Sequence, residues 1–265
     1  MIIAGIVLIV IGVILFVVRS LNKKKLFNIK ATQTLKTNEI ADLCNSVKDE
    51  IGPGSFNKVL EVKGVIKCDN PLTAELSGQN CVYYSMSVTR EYEETYTDYD
   101  QNKRPVQRTR RGSDVISSNS QSVQFFVEDD TGKILVNPNS ASLDTVKSVD
   151  KFDPAGASMN ALSFGSFNIS IPSLGAGRRT LGYRYVEEII PLNRKVYVLG
   201  EASDSSGELM VQKPKDKKEN FLISLKSEEE LVSGVENIIK WTLIGAIAAD
   251  AIGVVLLIVG ILGKK

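Results

Sequence analysis

QFFVEDDTGKILVNP, residues 124–138, decides how the middle of this chain is read. Its two arms, QFFV and KILV, are rich in β-branched and aromatic residues around an acidic centre with a glycine. The stretch reads as a strand, a tight turn and a strand. The centre also holds Asp130-Thr131-Gly132, the tripeptide of aspartic proteases, in which two carboxylates share one proton. Apolar and small neighbours bury such a pair. Here Glu128 and Asp129 precede the tripeptide and Lys133 follows Gly132. These flanks assign Asp130, Thr131 and Gly132 to an exposed hairpin turn, with Gly132 expected to supply a positive φ. A weak echo, SSGELMVQKP at 205–214, has no matching aspartate and points to the same turn device used twice.

Further strands surround this hairpin: KVLEVKGVIKC (58–68), CVYYSMSVTREYEETY (81–96), GYRYVEEIIPLNRKVYVLGEA (182–202) and ELMVQKP (208–214). Short strands separated by turn signals predict a mainly β soluble domain, a small barrel or sandwich, with an OB-like barrel among the options. Ahead of them, TNEIADLCNSVKDEIGPG (37–54) predicts an amphipathic helix. Thr37 or Asn38 caps it, Ile40, Leu43, Val47 and Ile51 share a face, and Gly52-Pro53-Gly54 stops it.

Two apolar runs bracket the chain, at residues 2–18 and 241–262. Each approaches the roughly 20 residues that a transmembrane helix needs. The first has neither a basic leader nor a small-x-small cleavage motif, so it reads as a retained anchor. Residues 19–36 then form a basic tether and 37–232 the β-rich domain. Arg19, Lys23, Lys24, Lys25, Lys30, Lys226 and Lys240 lie on the domain side of the spans, against Lys264 and Lys265 on the other. The bias predicts a two-pass protein of the cell membrane with its large domain in the cytoplasm. In the second run Gly245, Ala249 and Gly253 are four apart, a stripe for close helix contact, and Asp250 lies beside it. The first run offers Gly5 and Gly12. An intramembrane Asp is expected to face protein or water.

The charges balance, 32 basic against 31 acidic residues, which disfavours a nucleic-acid binder. Three scattered cysteines and no histidine leave no disulfide framework, no zinc site and no Ser-His or Cys-His catalysis. No catalytic residue, metal or cofactor is expected. DYDQN (98–102) imitates a calcium loop, yet Lys103 stands where the loop needs Gly and Thr109 where it needs Glu. KRPVQRTRR (103–111) carries Lys103, Arg104, Arg108, Arg110 and Arg111. It reads as a polar hairpin loop, with contact to anionic lipid or a partner as the alternative. The uncharged stretch 155–177 is a packed loop or a contact surface. GAGRR (175–179) has too few glycines for a phosphate loop.

A helix ending in Gly-Pro-Gly, then EVKGVI, PLTAELSGQNCVYYSMSVTREYEE, FFVEDDTGKILVNP, GYRYVEEIIPLNRKVYVLGEA and FLISLKSEEEL occur in this order between two apolar runs. Together they resemble the GIDE-type, or beside-a-membrane, domain of mitochondrial ubiquitin ligase activators and of many prokaryotic membrane proteins. The resemblance covers most of 37–232. It implies a β-rich domain held between two transmembrane helices and engaged in protein–protein contact. It supplies no catalytic positions, and this chain has no RING, so it resembles a RING-less prokaryotic member. The expected role is a membrane-tethered interaction or scaffold module with a protein partner or self-association. The alternatives are a membrane-bound hydrolase, or a subunit of one, using Asp130 or a Ser-Lys pair, and a small channel or transport accessory using Asp250.

Overall fold

A computed structural model describes residues 1–154, 161–164, 167–170, 178–216 and 219–262. Helix α1 (Ile2–Ala31) leads into α2 (Thr37–Ile51). The strands follow: β1 (Asn57–Lys67), β2 (Leu72–Thr73), β3 (Asn80–Tyr99), β4 (Pro105–Ser122), β5 (Phe125–Glu128), β6 (Lys133–Val136), β7 (Ser142–Asp144), β8 (Val146–Pro154), β9 (Ala161–Phe164), β10 (Phe167–Ser170), β11 (Arg178–Pro191), β12 (Lys195–Ser203), β13 (Met210–Gln212) and β14 (Leu222–Ser224). Helix α3 (Glu228–Leu262) closes the chain.

Five strands close a barrel. Antiparallel β1–β5 and β5–β6 pairs are followed by a parallel β6–β13 pair, then β13–β12 and β12–β1, both antiparallel. In chain order the ring runs first, second, third, fifth, fourth and back to first, the connectivity of an OB-type Greek-key barrel. Leu60, Val62, Phe125, Val127, Val136, Val198 and Val211 fill its core. The echo strands β6 and β13 are the parallel pair, Met210 opposite Leu135 and Val211 opposite Val136.

A second sheet grows from two loops of this barrel. β2, β3 and β4 leave between barrel strands β1 and β5, and β8 and β11 leave between β6 and β12. They pair as β2–β3–β11–β8 with β4 on β3. Tyr84, Met86, Val88, Tyr183, Tyr185 and Ile189 form a separate core there. Residues 105–111, expected as a loop, continue strand β4, and the turn sits at 100–104. The stretch 155–177 lies largely outside the described residues, as does the start of GAGRR. Within it β9 and β10 pair with each other.

The helices carry the barrel. α1 and α3 have 30 and 35 residues, long and apolar enough to cross a membrane. Both run beyond their apolar parts. Residues 19–31, expected as a tether, are helical, and α3 begins at Glu228 rather than near Trp241. Each extension adds about 20 Å at 1.5 Å per residue, forming a two-helix stalk. Its top packs on the outer wall of the barrel: Ile29 and Leu231 bury against Tyr197, Leu199 and Leu222. This explains the run VYVLG. Val196 and Val198 face the barrel core while Tyr197 and Leu199 face the stalk, so β12 is apolar on both sides.

Candidate functional site

The EDDTG turn is a helix cap supplied from a distance. Glu128 pairs with Lys133, and the Asp129 amide donates to the Gly132 carbonyl, closing a four-residue loop. The Asp129 carboxylate accepts the amides of Thr131 (2.7 Å) and Gly132 (3.1 Å) and the Thr131 hydroxyl (2.7 Å). It also accepts the Thr37 amide (2.8 Å) and hydroxyl (2.7 Å) at the start of α2. Thr131 Oγ1 accepts the next amide, Asn38 (3.2 Å). Amides left open by a helix start are thus satisfied by the hairpin. Burial opposes ionisation of Asp129, but the hydroxyls and amides of Thr131 and Thr37 outweigh it and hold the carboxyl well below its usual range.

This corrects two expectations. Gly132 does not take a positive φ; a Cβ there would stand 3.1 Å from Thr37 Oγ1, so the glycine leaves room for Thr37. Gly207 does, at +91°, so the two echoes turn by different means. α2 starts at Thr37, with Lys36 as its N-cap residue, and buries Ile40 and Cys44 with Val47 beside them. Leu43 and Ile51 are exposed. Asp130 points away, 72% exposed and ion-paired to Lys36 at 2.9 Å.

Next to this turn an open groove of about 740 Å³ lies between β1, β12 and the base of α3. Val65, Val196 and Leu225 give it apolar surface, and four lysines and six carboxylates give it charge of both signs. Lys63 bridges to Glu228 at 2.6 Å and Lys226 to Asp144 at 3.0 Å. Lys195 and Glu128 form no ion pair among the described residues. Beneath the groove Glu61 is fully buried. It accepts the Tyr197 hydroxyl in a short hydrogen bond and the Thr34 hydroxyl at 2.9 Å. Burial pushes its carboxyl up, and the two hydroxyls offset only part of this. Burial and the Glu61 carboxylate push the Tyr197 phenol up as well. Backbone bonds to Gln33 and Leu35 hold the same residue to the α1–α2 link. Glu61 alternates along β1 with Leu60 and Val62, which face the barrel core, so it lies on the outer face of the strand. The second burial comes from the stalk.

Glu187 is likewise fully buried, and it is spent on the amides of Leu76 (2.6 Å) and Ser77 (3.0 Å) and the Ser148 hydroxyl (2.8 Å). The predicted basic cluster is divided. Arg108 pairs with Asp98 and Arg110 with Glu94, whereas Lys103, Arg104 and Arg111 form no ion pair among the described residues. Cys44, Cys68 and Cys81 are free, and no cluster of metal-ligating residues occurs among the described residues.

Between the two long helices, Gly253 meets Gly5: a Cβ on Gly5 would lie 2.8 Å from the Gly253 carbonyl. Gly245 faces Leu15, Ala249 is half-buried, and Ala246, unmarked in the sequence reading, is fully buried. The Asp250 carboxylate sits on Gly12, where any Cβ would overlap it. Its Oδ1 is buried without a hydrogen-bond partner, as is Nε of Arg19, which lies seven residues after Gly12.

A family model for GIDE, described as E3 ubiquitin ligase, matches residues 93–259, more than half of the chain. The chain belongs to the GIDE family. The GIDE match takes in the end of β3, both barrel strands of the EDDTG hairpin, β11 to β14 and most of α3. Comparison with curated proteins and with solved structures gave no match.

Proposed function

We propose that this GIDE protein is a membrane-tethered binding module that docks a segment of a protein partner in the groove between β1, β12 and α3. The groove itself carries the reading: apolar surface with free charges of both signs suits a peptide segment. Its excess of carboxylates suits a polyanion poorly, although OB-type barrels do bind oligonucleotides. The half-buried carboxylate of Asp129 and the buried one of Glu187 are committed to amides, and Asp130 lies exposed in an ion pair, which weighs against the hydrolase reading. The family description supports work within a ubiquitin-ligase system. Within such a system the part that the groove suits is recruitment or self-association.

In this reading α1 and α3 cross the cell membrane and the barrel lies in the cytoplasm, as the lysines and Arg19 beside the apolar runs favour. A cysteine at the exposed Ser118, in a cysteine-free background, tests the side. Labelling by an impermeant reagent only after lysis is expected; labelling of intact cells would reverse the topology. For the groove, a photo-crosslinking residue at Val65 in native membranes should trap a discrete protein adduct. The same probe at exposed Val115 should not. Equal adducts from both positions, or none from Val65, would refute the docking site.

A further inference from the structure

Two adjoining recesses open along α1 between the apolar run and the barrel, sharing Lys24 and Asn28. One, of about 330 Å³, is also lined by Leu21, Asn22, Lys25 and Asn220. The other, of about 640 Å³, adds Ser20, Lys23, Phe27 and Glu219. Residues 219–220 belong to the chain just before β14, which pairs with barrel strand β12, so the segment flanking the barrel contributes one wall. Lys23, Lys24, Lys25, Asn28 and Asn220 have side chains with no hydrogen bond or ion pair among the described residues. Asn22 spends one donor on the Val18 carbonyl, at 2.9 Å.

Height selects the occupant. Lys23 to Lys25 stand five to seven residues past Val18, about 8–11 Å along the helix axis. The headgroup layer extends roughly 5–8 Å beyond the hydrocarbon on each side, and lysine stems reach down to it. Exposed Leu21, three residues past Val18, offers apolar surface about 4–5 Å out, where a glycerol backbone lies, and exposed Phe27 stands about 13 Å out, on the barrel side of the lysines. The lysines suit a phosphodiester. The carboxamides and the Glu219 carboxylate suit hydroxyl groups, which donate as well as accept.

We infer that these recesses bind the headgroup of an anionic, hydroxyl-bearing phospholipid of the phosphatidylglycerol type, in the leaflet beside the barrel. The inference rests on the membrane-tethered reading above. The bound lipid fixes the depth at which the stalk leaves the bilayer and fills the space under the barrel.

The test uses the full chain in vesicles of phosphatidylcholine doped with phosphatidylglycerol, and native mass spectrometry to count the phosphatidylglycerol that stays bound. Lys23→Gln, Lys24→Gln and Lys25→Gln should each lower retention roughly fivefold. Asn28→Ala with Asn220→Ala, which leaves the charge unchanged, should lower it too. Lys30→Gln with Lys240→Gln, outside the recesses, should not. Wild-type retention in the double-alanine protein, or equal losses from the outside lysines, would reduce the effect to general charge attraction and overturn the site. Flotation with vesicles of phosphatidylcholine alone separates the two readings. If the wild-type chain fails to float, the membrane tether is wrong. If it floats and retains no phosphatidylglycerol, only the lipid site is.

Discussion

The carboxylate of Asp129 accepts the amide of Thr37 at 2.8 Å, across 92 positions of sequence. One side chain thereby closes its own hairpin turn and caps a helix. Asp129→Ala should cost about 1–2 kcal/mol, the range for losing a helix cap. Asp130→Ala removes an exposed ion pair, worth about 0–1 kcal/mol. Thermal melts of the two variants in detergent check the order; equal losses would remove the cap from the account.

The same carboxylate sets an acid limit. Its pKa is lowered in the fold, so the stabilisation is complete above the unfolded value of about 3.9 and is lost as pH falls from there toward the folded value. The melting temperature of the wild-type chain should drop below about pH 4, and Asp129→Asn should flatten that part of the profile. An unchanged slope in the variant would assign the acid sensitivity to other carboxylates, with Asp204 the next to examine: its pKa is lowered by the amides of Gly54 and Phe56.

Glu61 behaves in the opposite sense. Its raised pKa means the fold prefers the neutral acid, so its stabilisation is full below the unfolded value of about 4.3 and is lost as pH rises through the folded one. Glu61→Gln keeps an acceptor oxygen for one of the two hydroxyls, offers its NH2 to the oxygen of the other, and removes the buried charge. Its melting temperature at neutral pH should exceed that of wild type by about 2–4 °C, a shift on the scale of 1 kcal/mol. A lower one would mean that the charged form is what binds the barrel to the α1–α2 link.

Within the apolar helices, Gly12 is where shape matters most. Cysteines at Leu15 and Gly245, which face each other, should form a disulfide on oxidation in a background lacking the native cysteines. Adding Gly12→Leu should abolish most of that product, because the side chain would occupy the place of the Asp250 carboxylate. Asp250→Asn, nearly the same shape, should leave it intact. Undiminished crosslinking with Leu at position 12 would show that the helices do not meet along this line.

Local signals were legible where a single element decides them. The hairpin of 125–136, the Gly-Pro-Gly stop after α2 and the two apolar runs all follow from turn chemistry and composition. What closes the barrel did not show, because the β1–β12 and β6–β13 pairs join strands far apart in the chain and leave no periodic trace. The role of Asp129 was hidden likewise, since its most telling partner is on another element. The stalk was missed for a different reason. Lys and Asn at 22–30 look like a solvated tether, yet Ile29 anchors that segment against the barrel wall, and lysine is a good helix former.

A single helix would leave the barrel free to spin about its own axis. Two helices packed side by side, each merging into the same wall of the barrel, remove that rotation. In the membrane-tethered reading proposed above, the groove would therefore keep one height and one inclination relative to the bilayer. A partner confined to the same membrane would meet it by sliding in two dimensions, at that one height. Two such copies, each turning freely about the bilayer normal, would still present their grooves at one height and one inclination to it.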